Sequence, residues 1–133
     1  MRKIIFLPIL FFLLSCSNNN DENNEFIIGK WKVVKRYDLD VETDLSPCDP
    51  FYIYNFGTDF SVETYVVNKN KIPENVLCGV YFPGMFSWVK IDENTYQEIR
   101  TSDPSDVNHT YTRDGEFLIL NYSDNRSAVL KRN

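Results

Sequence analysis

From residue 30 onward the chain alternates apolar and polar side chains with a period of two, and this pattern restricts what it can fold into more than any other feature. In 30–37, Lys30, Lys32 and Arg36 fall on one side and Trp31, Val33 and Tyr37 on the other, with Val34 and Lys35 out of phase. In 59–67, Phe60, Val62, Thr64 and Val66 oppose Ser61, Glu63, Tyr65 and Val67. Period two with β-branched and aromatic enrichment marks half-buried strands. Similar runs occupy 51–56, 77–82, 85–91, 95–101, 107–112, 116–122 and 126–131, and only a short turn at 25–29 has any helical character. Turn residues separate the runs: Gly57-Thr58-Asp59, Pro83-Gly84, Asp92-Glu93-Asn94, Asp114-Gly115 and Ser123-Asp124-Asn125. The longer loops are 38–49, 68–76 and 102–106, and 77–131 reads as a continuous meander. The expected fold class is all-β, a small antiparallel meander closing into a barrel of about eight or nine strands, since closure removes exposed edges. A membrane-spanning barrel fits less well. Its strands need about 9 to 11 residues and an apolar outer band, whereas most runs here are shorter and their outer faces carry Lys, Glu, Asn and Arg.

The first residues carry a different pattern. Arg2 and Lys3 precede an apolar stretch, 4–14, broken only by Pro8, and Leu13-Leu14-Ser15-Cys16 follows. The stretch is too short for a bilayer-spanning helix, which takes roughly 20 apolar residues. The tetrapeptide resembles the lipobox of bacterial lipoproteins. That resemblance implies a signal peptide over 1–15, acylation of Cys16 as the mature N-terminus, and residence in the bacterial cell envelope, on the outer membrane. Several acyl chains suffice for stable anchoring. Residues 17–25 are Asn-rich, acidic and apolar-free, so 16–25 is expected to be a lipidated flexible tether, with the folded domain over 26–133.

The chain has 14 basic and 19 acidic residues; loss of Arg2 and Lys3 with the signal leaves 12 against 19, a net charge of −7. That balance argues against nucleic acid, whose backbone is bound by clustered Lys and Arg. The one cationic cluster, Lys30, Lys32, Lys35 and Arg36, reads as the solvated face of an edge strand. With Cys16 assigned to lipid, Cys48 and Cys78 remain as a pair, and in an exported chain a disulfide between them is the expectation. A metal or catalytic pair is the alternative, disfavoured by the long spacing and the single histidine, His109.

Gly29-Lys30-Trp31 at the head of the first strand, preceded by Ile27-Ile28, resembles the Gly-x-Trp motif of lipocalin-like domains. In bacterial lipocalin-like lipoproteins the same order recurs: lipobox, polar tether, Gly-x-Trp, and cysteines placed as Cys48 and Cys78 are here. The resemblance implies a lipocalin-like barrel in which Gly29 and Trp31 are structural, Trp31 packing across the closed end. The chain is shorter than animal lipocalins and lacks a clear C-terminal helix, so a full cup-shaped cavity is not implied. Tyr54, Tyr81 and Trp88 are the candidates to line a ligand site, Trp88 serving either a cavity or the core. No nucleophile motif, paired carboxylate spacing or calcium loop stands out, so no catalytic residue, metal or cofactor is expected. Two functions follow: a non-enzymatic, monomeric binding module for a small apolar or amphipathic ligand, or a protein-interaction or inhibitor domain meeting an envelope protein through loops 38–49 and 68–76.

Overall fold

The structure, a computed structural model, describes residues 25–122 and 125–133. The segments expected to be signal peptide, lipobox and tether, up to Asn24, and the first two residues of the Ser123-Asp124-Asn125 turn lie outside the described residues.

Nine strands form in chain order: β1 (Gly29–Asp38), β2 (Val41–Thr43), β3 (Tyr52–Phe56), β4 (Ser61–Val66), β5 (Phe86–Lys90), β6 (Thr95–Arg100), β7 (Asp103–Asp114), β8 (Phe117–Asn121) and β9 (Arg126–Arg132). Every pairing is antiparallel. β1 pairs with β3, the strands then follow in order to β9, and β9 returns to β1 over Trp31↔Arg132 to Asp38↔Arg126. The result is a closed eight-stranded barrel with β2 as an extra strand on the free side of β1. An eight-stranded barrel is just wide enough for side chains to fill, and here they do. Trp31, Phe56, Trp88, Tyr96 and Tyr111 are each fully buried within it, with Val33, Val62, Leu118, Leu120 and Leu130 between them.

Four expectations need correction. Residues 77–82 form no strand. Cys78 is held by its disulfide to Cys48, Pro83 has no N–H to give a ladder, and Tyr81 alone meets β4, its N–H donating to Thr64 Oγ1 at 2.7 Å. The meander accordingly resumes at β5. Loop 38–49 contains β2, because Leu39 and Asp40 both adopt left-handed φ, +47° and +66°, the conformation of a two-residue type I′ hairpin. Loop 102–106 is mostly strand, since β7 starts at Asp103 and carries its surplus residues as bulges opposite Ile99 and Arg100.

The bulge in β1 matters most. Val33 pairs with Leu130 but Lys35 with Val129, so Val34 is the extra residue and the alternation changes phase there. Arg36 therefore lies opposite Ala128 on the inner face, not with Lys30 and Lys32 in an outward cationic row.

Candidate functional site

The two ends of the barrel differ in chemistry. One is plugged. There the chain enters at Glu25, whose carboxylate takes the Lys90 ammonium at 2.9 Å and the Tyr96 hydroxyl at 3.2 Å. Trp31 is fully buried and donates from Nε1 to the Ile27 carbonyl at 2.7 Å. The Arg132 guanidinium lies 4.4 Å from the Trp31 ring centre and donates to the carbonyls of Ile28 and Phe26 at 2.7 and 2.8 Å. Gly29 sits at φ +126°, and a Cβ there would fall 2.5 Å from Arg132 Nη1, which accounts for glycine at this position. Gly29 and Trp31 thus hold the plug together.

The other end carries the polar half of the interior. Glu98 is fully buried on β6 and accepts from the Tyr111 hydroxyl at 2.6 Å, with His109 Nδ1 at 3.1 Å. The His109 ring meets the Tyr122 ring edge-on at 5.0 Å, and Tyr122 Oη accepts from Arg36 at 3.2 Å. Arg36 in turn grips Asp49 with two N–H donors, at 2.5 and 2.6 Å, and the Ser46 N–H donates to the same carboxylate at 2.7 Å. A continuous polar line therefore runs from Glu98 in the interior to Asp49, one residue from the disulfide. Cys48 and Cys78 are bonded, S–S 2.07 Å, and this joins loop 38–49 to the segment that follows loop 68–76, over the same end.

Of the ligand candidates, Tyr54 and Tyr81 are brought together and Trp88 is not. Burial pushes the Tyr54 hydroxyl well above its usual pKa, helped by the neighbouring Tyr122 and Tyr81. Burial also raises Tyr81, with the Glu98 carboxylate adding to it, and Tyr111 is raised well above the usual value by burial and then Glu98. These phenols stay neutral across the whole physiological range, and Tyr111 keeps its hydroxyl proton to donate to Glu98. Trp88 is directed toward the plugged end: its Nε1 donates to the Gly57 carbonyl at 3.1 Å, and its ring packs between Phe60 and Tyr96 at 4.9 and 5.7 Å. It fills the core and is 1 % exposed.

Arg36, Asp49, Glu98, His109 and Tyr111 form the site that sequence reasoning missed. The signal for Arg36 was the phase break at Val34 and Lys35; for Glu98 it was a carboxylate on the same face as Tyr96. Asp49 carried no signal, being one acid in an acidic loop. Among the described residues no cluster of three His, Cys, Asp or Glu side chains is placed to hold a metal.

The surface of the disulfide end is apolar at its tips. Leu39, Val41, Leu77 and Phe82 are 68, 66, 96 and 65 % exposed. Beside Leu77 a cleft of about 600 Å³ runs along Val66, Ile72, Val76 and Val80, outside the barrel; Tyr54, Tyr81, Glu98 and His109 take no part in its walls. Compared with protein-family models, curated proteins and solved structures, the chain shows no match in any of the three.

Proposed function

We propose that this protein is a lipid-anchored, non-enzymatic binding module of the bacterial envelope, held through Cys16 to the outer membrane, and that its disulfide end docks a protein partner. The observation that carries this reading is the contrast between a filled interior and an apolar rim. Five large aromatic side chains occupy the barrel, which leaves little volume for a carried molecule. Leu39, Val41, Leu77 and Phe82, by contrast, offer their side chains to solvent, Leu39 and Val41 on the paired β1–β2 hairpin and Leu77 and Phe82 on the segment that the disulfide holds in place. Exposed apolar side chains gathered at one place mark interaction surfaces, and a preorganised loop loses less entropy on binding.

A strained turn supports the same reading. Leu39 occupies a left-handed position that favours Gly or Asn, and it is 68 % exposed. Folding alone gains nothing from an apolar side chain there, whereas a partner would.

A small amphipathic ligand is the second reading, favoured by the cleft of about 600 Å³ beside Leu77. Native mass spectrometry of the chain purified from its own envelope separates the two. The expected result is a co-purifying protein that the wild type retains and a folded Leu39→Asp/Leu77→Asp variant loses. A bound small molecule in place of a protein overturns the docking reading. Cys16→Ala should fold normally and leave the membrane fraction; retention with membranes would remove Cys16 as the anchor.

A further inference from the structure

The geometry points to the plugged end as a second contact surface, one that rests on the lipid bilayer while the disulfide end faces away from it. This inference rests on the lipid anchor at Cys16 and adds to it an orientation and a set of contact residues.

The path of the chain supplies the first argument. Eight residues separate Cys16 from Glu25, and the Cα-to-Cα reach of that stretch is at most about 30 Å. Glu25 is fastened to Lys90 and Tyr96, and Phe26 lies under Arg113, 4.1 Å from its ring centre, so the tether leaves from the plugged end at a fixed place. The ten residues of β1 at about 3.3 Å each, tilted as barrel strands are, put the disulfide end about 25 Å further on. Bringing that end to the bilayer would draw the tether almost straight. Resting on the plugged end needs no such extension.

The surface supplies the second. Three hairpin turns close the plugged end, between β3 and β4, β5 and β6, and β7 and β8, and each presents a large apolar side chain. Phe60 is 48 % exposed, Ile91 52 % and Phe117 37 %. Phe60 does so at φ +65°, a conformation that bulky residues rarely adopt. Cations and acids interleave around them, Lys90, Arg113, Lys131 and Arg132 with Glu25, Asp59, Asp92, Glu93, Asp114 and Glu116, so the rim is not cationic. The contact is therefore apolar, with lipid interface as its occupant, and no charge attraction to anionic headgroups is needed. Aromatic and aliphatic tips on an anchored domain enter the headgroup boundary by this chemistry.

The test uses the full, processed chain with Ile, Leu and Val methyl labels, in nanodiscs of phosphatidylcholine containing a trace of lipid with a gadolinium chelate on its headgroup. The Ile91 methyl signals should lose most of their intensity, while those of Leu39 and Leu77 stay sharp. Equal broadening at both ends, or broadening of Leu39 and Leu77 alone, overturns the orientation and leaves the anchor standing. A chain that fails to enter nanodiscs overturns the anchor and the orientation with it. The Phe60→Ser/Phe117→Ser variant, still anchored, should lose the contrast between the two ends; an unchanged contrast would remove these tips as the contact.

Discussion

Asp49 is 1 % exposed, and what surrounds its two oxygens decides what each neighbour is worth. Both are bonded to Arg36, whose side chain is 24 % exposed. The pair is therefore asymmetric. If Asp49 is removed, Arg36 keeps Tyr122 Oη and a route to water; if Arg36 is removed, a carboxylate stays in the interior with the Ser46 N–H as its remaining donor. Breaking a buried pair from the side that strands the charge costs about 3 to 5 kcal/mol. Arg36→Met should accordingly lower the unfolding free energy by about that much, and Asp49→Asn by only about 1 to 2 kcal/mol, the cost of a weakened charged hydrogen bond. Denaturant unfolding of both variants checks the ranking, and equal losses would show that Arg36 is not compensating Asp49. The pair also marks where sequence reading stops. Trp31 and Gly29 were legible because a motif places them, and Glu98 sits at an apolar-face position of its run. Arg36 was not, because a single bulge residue, Val34, inverts every side chain after it, and the phase break at Val34 and Lys35 does not by itself say which residue is the extra one.

Among the elements, the two loops of the disulfide end are the least regular and the most dependent on covalent chemistry. Segment 72–85 makes few backbone bonds to the barrel: Tyr81 with Thr64, and the Met85 carbonyl accepting from Thr101. Its position comes largely from Cys78. The bond closes a loop of 30 residues, worth about 3.6 kcal/mol in the chain-entropy account. Cys48→Ser, or a reducing agent, should lower stability by about that amount and make 72–82 exchange amide hydrogens fast, while β1, β8 and β9 stay protected. Uniform protection loss would mean that the bridge supports the whole barrel. The same dependence explains why 77–82 reads as a strand in sequence and is none in the fold. Its short apolar run with β-branched and aromatic residues, Leu77, Cys78, Val80, Tyr81 and Phe82, bounded by Pro83-Gly84, satisfies the local rule. The disulfide and Pro83 deny it a partner strand, and strand identity belongs to the pair, not the segment. β6, β8 and β9 each find two partners, and for them the local rule sufficed.

At the scale of the molecule, closure depends on the last strand. β1 and β9 come from opposite ends of the domain, and their pairing turns an open sheet into a barrel. β9 supplies three things at once: the partner edge for β1, the inner residues Ala128 and Leu130, and Arg132 over Trp31. Without it, two edges with unpaired backbone groups face solvent, and the Trp31 ring loses the guanidinium above it. Edges of that kind recruit other chains. A chain ending at Asn125 should thus fail to stay monomeric: size exclusion should give oligomers or precipitate, and a hydrophobic dye should bind far more than to the full chain. Arg132→Ala keeps both edges paired and removes only the plug contacts, so it should remain monomeric while unfolding at a lower temperature. If the truncated chain ran as a compact, dye-silent monomer, the hairpins from β3 to β8 would have to hold the sheet alone, and the β1–β9 seam would be decoration on it. The fully buried Leu118 and Leu120 on β8, paired with Leu130 and Ala128 of β9, argue the other way, because losing β9 uncovers them.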